Sequence, residues 1–345
     1  MDTMRPLIFL ESLVALVALA GCATYPAERL DPVLGVEAAV RPETLSIMTY
    51  NIEGLRWPAR TGRKPFLEKI NAELDAMDGK GILPDIVVFQ EAFSTTALRT
   101  ASFAPHPVFA LGPRRKTKSS FAKTDDPALR KRNWLRGEWG IKAFGSGLAV
   151  ASRYSISVVA EEPFGPRSCA GWDCISNKGM LLVAVDLPGY EEPIEIVTTH
   201  MNSQGSSGVS KEKQLASHKV QSAQLAAFID KHSRTNSPLV VAGDFNMRGS
   251  PERFEEFERQ NNGHIARQFC ADVNRDRLTP ACEIKVSWDG DEPWMDTQDL
   301  QVFDNGSGFR IRPIRLEAWF DGDDSGGKLS DHDAYIVTYA LLDGE

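Results

Sequence analysis

Five polar signals in this sequence each follow an apolar, strand-like run. Asn51 ends Met48-Thr49-Tyr50-Asn51, and Gln90-Glu91 follow Ile86-Val87-Val88-Phe89. His200 follows Ile196-Val197-Thr198-Thr199, Asp244 and Asn246 close Val240-Val241-Ala242-Gly243-Asp244-Phe245-Asn246, and Asp331-His332 follow Leu329-Ser330. One carboxylate after a strand is ordinarily a cap or turn residue. Five such ends in one chain point to a shared site, because layered α/β folds build ligand sites on loops at strand ends. The residue types suit one chemistry. Carboxylates and amide oxygens are hard ligands for Mg2+ or Mn2+, and Mg2+ keeps several waters while taking one or two protein carboxylates beside a substrate phosphate. Histidines at 200 and 332 can carry protons or offset developing charge. The chain has no G-x-S-x-G element and no P-loop, so neither serine-esterase nor nucleotide-cradle chemistry competes.

The elements that must position these residues are strands alternating with helices. Apolar runs at Leu45–Ile52, Asp85–Phe93, Gly147–Ile156, Met180–Leu187, Ile194–Met201, Leu239–Phe245, Asp299–Phe303 and Tyr335–Leu341 are rich in Val, Ile, Thr and Phe and read as strands. Between them, Phe66–Met77 sets Phe66, Ile70 and Leu74 on one helical face, and Lys211–Asp230 sets Leu215, Val220, Leu225 and Phe228 on another. Pro251–Gln260 opens with Ser250 as N-cap and Pro251 in the first turn. Strands under flanking helices predict a layered α/β catalytic domain over residues 43–345.

Taken in order, T-Y-N-I, F-Q-E, T-T-H, G-D-F-N and S-D-H resemble the motif set of the endonuclease/exonuclease/phosphatase superfamily. That superfamily holds DNase I-like nucleases, abasic-site endonucleases, inositol-phosphate 5-phosphatases and neutral sphingomyelinases. The resemblance spans about residues 45–341 and implies a four-layer α/β/β/α sandwich of two mixed β-sheets. It implies Glu91 as the principal metal ligand, with Asn51 and Asp331 near the Mg2+ or Mn2+ ion. Asp244 would orient or deprotonate the attacking water, Asn246 would bind the phosphoryl group, and His200 and His332 would serve as base or charge stabilisers. Asp299 is the candidate support for His332, with Asp296 as rival. Asn177-Lys178-Gly179 resembles a segment of the phosphatase and sphingomyelinase branches, which makes Asn177 and Lys178 candidate substrate contacts.

The implied activity is metal-dependent phosphoester hydrolysis, closest to the sphingomyelinase and phosphatase branches. A phospholipid or another phosphoester at the cell envelope is the expected substrate. The alternatives are an exported nuclease, which makes nucleic acid a candidate partner, and a non-catalytic envelope binding protein. A net charge of −8 argues against a general polyanion binder. One insert opposes that sign: residues 112–140 carry nine lysines and arginines against Asp125, Asp126 and Glu138, with Trp134 and Trp139 interleaved. It reads as a contact surface for anionic lipid or nucleic acid, or as a solvated loop.

The N-terminus predicts the address. Arg5, the apolar run Leu7–Ala20 and Leu19-Ala20-Gly21-Cys22 resemble a bacterial lipoprotein signal over residues 1–22, with lipid on Cys22. Residues 23–42 read as a polar tether, and the expected location is the cell envelope, at the outer membrane. The protein is expected to be monomeric. Cys169, Cys174, Cys270 and Cys282 form an even set in an exported chain, and short spacing favours 169–174 and 270–282 among the three pairings. A zinc site is the rival, disfavoured because no histidine lies near either pair.

Overall fold

The computed structural model describes residues 26–30, 40–55, 60–103, 105–278, 280–286, 297–322 and 327–344. The signal segment with Cys22, and Asp296, lie outside the described residues. Among the described residues, thirteen strands form two sheets. They are β1 (Thr44–Asn51), β2 (Ile86–Gln90), β3 (Val108–Leu111), β4 (Ala149–Ser152), β5 (Ile156–Pro163), β6 (Gly179–Val185), β7 (Ile194–His200), β8 (Leu239–Asp244), β9 (His264–Ile265), β10 (Glu283–Lys285), β11 (Asp299–Asp304), β12 (Phe309–Trp319) and β13 (Ala334–Asp343). The first sheet runs β10-β12-β13-β1-β2-β4-β3 and the second β5-β6-β7-β8-β11-β9.

Three apolar layers hold four structural ones. Leu45, Ile47 and Val88 from the first sheet meet Leu181, Ile196 and Val240 from the second. The far face of the first sheet packs Met48 and Phe89 under Leu67, Ile70 and Leu74 of the helix Arg63–Gly79. The far face of the second packs Leu182 and Val241 under Leu225 and Phe228 of the helix Lys211–His232, and Phe254 and Phe257 of the helix Pro251–Gln260. This is the expected α/β/β/α sandwich.

Sheet pairing explains why the polar ends meet. β1 and β2 are parallel, as are β7 and β8, so Asn51 lies across from Gln90, and His200 from Asp244. β11 runs against β8 and brings Asp299 opposite Asp244. Gly243 is needed at this end: a Cβ there would sit 2.2 Å from the Thr199 carbonyl oxygen. The sheets are tied beneath the site by buried Gln90, which accepts from Thr49 Oγ1 at 3.3 Å and donates to Thr198 Oγ1 at 3.4 Å.

Several local expectations change. Phe66 is exposed and Leu67 takes its place in the core beside Ile70, Leu74 and Met77. Along Lys211–His232 the buried face is largely polar, because the helix serves the loops below it. Ser217 and Gln221 donate to Ser168 O, Gln221 Oε1 accepts from Asn202 N, and Gln224 accepts from Gly165 N. Leu215 and Val220 are therefore only half-buried. Ser250 precedes its helix without a side-chain capping bond and turns its hydroxyl to Glu252. Part of the expected tether is docked: Arg29 pairs with Phe109, and Glu28 accepts from Leu111 N, covering the exposed edge of β3. Both short disulfides form, Cys169–Cys174 and Cys270–Cys282.

Candidate active site

The site lies where the strand ends of both sheets converge, on a cavity of about 560 Å3. Its floor is the Asp244 carboxylate, fully buried at the end of β8. Asp244 Oδ2 accepts from Asn51 Nδ2 at 3.0 Å and lies 3.2 Å from His200 Nε2 and 3.8 Å from His332 Nε2. Oδ1 accepts from the backbone N of Asn246 at 3.0 Å. Burial works against its charge, but the nearby imidazoles of His200 and His332 and the hydrogen bond of His200 hold the carboxyl well below the usual range.

Behind His332, Asp299 Oδ2 lies 2.5 Å from Nδ1. Burial disfavours the imidazolium, yet the carboxylates of Asp299 and Asp244 outweigh it and raise His332 above the ordinary histidine range. His332 is thus held as a cation. His200 Nδ1 is buried without a partner among the described residues. Its Nε2 lies between Asp244 Oδ2 at 3.2 Å and the Lys178 ammonium at 2.9 Å.

Lys178 enters from the segment before β6. Its ammonium pairs with Asp173, donates to Met201 O at 3.0 Å and lies 2.9 Å from His200 Nε2. Burial opposes ionisation of Asp173, but the Lys178 ammonium and bonds from Lys178 and Ser203 keep its carboxyl low. Buried Arg253 fixes the adjoining loops by donating to the carbonyls of Asn202, Asn246 and Ser203.

The opposite wall is acidic. Glu91 faces the cavity, and its carboxylate makes no hydrogen bond or ion pair with the described residues. Asp331 is exposed and pairs with Arg60 at 3.2 Å. Arg60 also reaches Glu53 at 3.1 Å, and Arg63 does so at 3.2 Å. Burial and the nearby Asp331 raise the Glu53 carboxyl despite those two arginines. Glu53, Glu91 and Asn246 all adopt positive φ, sparsely populated for such residues and concentrated where structure over-determines the backbone. A second group that could hold a metal is Asp244, Asp299 and His332, whose ligand atoms lie within 4.8 Å of one another. In that group His332 Nδ1 is already committed to Asp299.

The structure thus brings together Glu91, Asp331, Lys178, His200, Asp244, Asn246 and His332 on one cavity, with Asp299 behind His332. Asn51 sits beneath it: Oδ1 accepts from Glu53 N, and one lone pair stays spare. Asn177 does not contact the cavity. Its amide donates to Arg114 O and Thr117 O at 2.9 Å each, bracing the basic insert, because the chain alternates direction between Asn177 and Lys178. Sequence reasoning missed Glu53, Arg60, Asp173, Ser203 and Gln298. Of these only Asp173 carried a signal, as an acid inside the five-residue disulfide spacing.

A family model described as the Endonuclease/Exonuclease/phosphatase family matches residues 48–305. The chain belongs to that family. No curated protein sequence matches this family member. Among solved structures, it is similar to a beta toxin mutant from Staphylococcus aureus with bound magnesium ions, at 16% identity and TM-score 0.55, covering 86% of this chain and 99% of that one. Sphingomyelinase C from Streptomyces griseocarneus is similar at 20% identity, TM-score 0.54 and the same coverage. D. rerio TDP2 complexed with single strand DNA product is similar at 13% identity and TM-score 0.51, again covering 86% and 99%. At these identities the likeness establishes the fold alone.

Proposed function

We propose that this family member is a divalent-metal-dependent phosphodiesterase, sphingomyelinase-like, acting on a phospholipid at the cell envelope. The observation that carries this reading is the buried Asp244 carboxylate, held between two histidines on a cavity whose far wall presents the unpartnered Glu91. Glu91 and Asp331, with the spare lone pair of Asn51 Oδ1, would hold Mg2+ or Mn2+; this donor set fits a hard cation that keeps waters of its own. Bound there, the cation would offset charge gathering on the phosphoryl oxygens.

The protein's own groups account for the protons. Water attacks phosphorus and gives a proton to Asp244 Oδ2. The ester P–O bond breaks, and His332, held as imidazolium by Asp299, protonates the departing oxygen from Nε2. Asp244 then releases its proton to solvent water and His332 Nε2 regains one from it, restoring both groups. Lys178, His200 and the Asn246 amide supply positive charge and donors around the phosphoryl group.

A lipid substrate is supported by the cavity mouth. Trp172 lines it together with Leu55, Phe93, Phe144 and Ile175, an apolar rim beside the polar groups. Two of the similar structures are a sphingomyelinase and a beta toxin. Lipid on Cys22 would hold the enzyme at the outer membrane, and a Cys22→Ser protein should then leave the membrane fraction. The deciding experiment is side-by-side hydrolysis of sphingomyelin, inositol phosphates and plasmid DNA, with Mg2+ and with EDTA. Sphingomyelin cleavage dependent on Mg2+ is expected. Inert sphingomyelin with cleaved DNA would establish the nuclease alternative, which the exposed basic insert favours.

A further inference from the structure

A second cavity, of about 380 Å3, lies against the Cys169–Cys174 loop. The loop lends residues to both cavities: Trp172, Asp173 and Lys178 face the catalytic one, while Cys169, Cys174 and Asn177 face the other. The polar lining of the second cavity is cationic, from Arg132, Lys142 and Arg167. Its one acid, Glu138, is already engaged. Glu138 Oε2 accepts from Lys213 Nζ at 2.6 Å and from Asn133 N, and Oε1 accepts from Gly171 N at 2.8 Å.

The cations are under-used. Arg132 donates from Nε to Glu138 O at 3.2 Å, but its Nη1 is enclosed with no partner among the described residues. The Arg167 guanidinium has no hydrogen bond or ion pair among the described residues. Lys142 gives one of its three protons to Ser176 O at 2.9 Å. Burial and the Arg132 charge push the Lys142 ammonium down to about 8, against the opposing pull of Asp173. Trp134 and Trp139 form the apolar wall, braced by the Trp139 Nε1 bond to Trp134 O.

We propose that this cavity is a second, non-catalytic anion site that takes a phosphate-type group, carried by a soluble ester or by an anionic lipid. Guanidinium forks match the oxygen pairs of a phosphate, and two arginines with a lysine neutralise a dianion more fully than a single carboxylate requires. The tryptophan wall accepts whatever apolar body carries the phosphate. The site stands independently of the catalytic reading.

The test is a titration of the full chain with inorganic phosphate in EDTA, followed by tryptophan fluorescence. Saturable binding is expected. The double variant Lys142→Gln/Arg167→Gln should weaken it about tenfold or more, ~1.4 kcal/mol. Arg167→Lys should retain most of it, and Lys178→Gln should leave it unchanged. An unchanged thermal melt shows that the variants fold. Absence of saturable binding, or loss in Lys178→Gln alone, overturns the proposal. The source is assigned with phosphatidylcholine vesicles with and without phosphatidic acid. Loss of acid-dependent vesicle binding in the double variant assigns a lipid headgroup, and unchanged vesicle binding assigns a soluble phosphate ester.

Discussion

Asp299 Oδ2 sits 2.5 Å from His332 Nδ1, and strand register puts it there, because Asp299 pairs directly across from Asp244. Amidating Asp299 keeps the shape and removes the charge that favours the imidazolium. Asp299→Asn should lower kcat between about 100-fold and about 10⁴-fold, with KM within a few-fold. Steady-state kinetics on a soluble chromogenic phosphodiester, with circular dichroism to verify folding, checks this. An unchanged kcat would remove His332 from the proton path.

Glu91→Gln leaves the fold intact, since that carboxylate has no partner to lose among the described residues. It should cost about 100-fold or more in rate. Mg2+ should raise the Tm of the wild-type protein and leave that of the variant nearly unmoved. Equal Mg2+ shifts in both would place the cation elsewhere, with Asp244, Asp299 and His332 as the next donors to test.

The two disulfides should separate stability from activity. Cys270–Cys282 closes the longer loop and packs into the layer between the sheets. Its removal should cost about 3 kcal/mol by loop entropy, against about 2 kcal/mol for Cys169–Cys174. The shorter bridge frames Asp173, the partner of Lys178. A Cys169→Ser/Cys174→Ser protein should therefore lose proportionately more turnover than stability, and Cys270→Ser/Cys282→Ser the reverse. Urea unfolding and kcat measured on both variants decide the matter.

Acid sensitivity should arise from two buried histidines outside the cavity. Burial lowers His218 to about 3 and His106 to about 4 from the ordinary 6.5. Their folded values are depressed, so the unfolded chain binds these protons first. The stability they contribute is whole above about 6.5 and is lost as the pH falls through 6.5 toward 4 and then 3. Each histidine can add a slope of up to about 1.4 kcal/mol per pH unit in that window. Unfolding free energies measured from neutral to acid pH should show it. A His106→Gln/His218→Gln protein should show a flatter dependence, and an equally steep one would shift the cause to other groups.

The central strands were legible because β1, β2, β7 and β8 are almost wholly buried apolar runs that end in polar residues. β12 was not, for two physical reasons. Arg310, Arg312 and Arg315 interrupt its apolar positions, and Pro313 sits at a shift in its pairing with β13, where its missing N–H is tolerated. β3 is only four residues long and β5 carries Glu161 and Glu162 at a sheet edge, so neither stood out from turns. In the site, residues delivered by strand register were visible as motif ends. Glu53 and Arg60 were not, since their pairing depends on a loop path that no local pattern encodes. Asn177 misled because a neighbour in sequence to Lys178 turns to the other side of its loop.

The split origin of the site sets a mechanical tolerance. Asn51, Glu91 and Asp331 ride on the first sheet, while His200, Asp244 and Asp299 ride on the second. The two halves meet at the greasy contact of Ile47 and Val88 with Leu181 and Val240, crossed by the polar ties of Gln90 to Thr198 and Asn51 to Asp244. Turnover is thereby a vernier for that alignment. On the proposed activity, a methylene added or removed in this layer, well away from the cavity, should displace one half of the site against the other and lower kcat before it lowers the Tm.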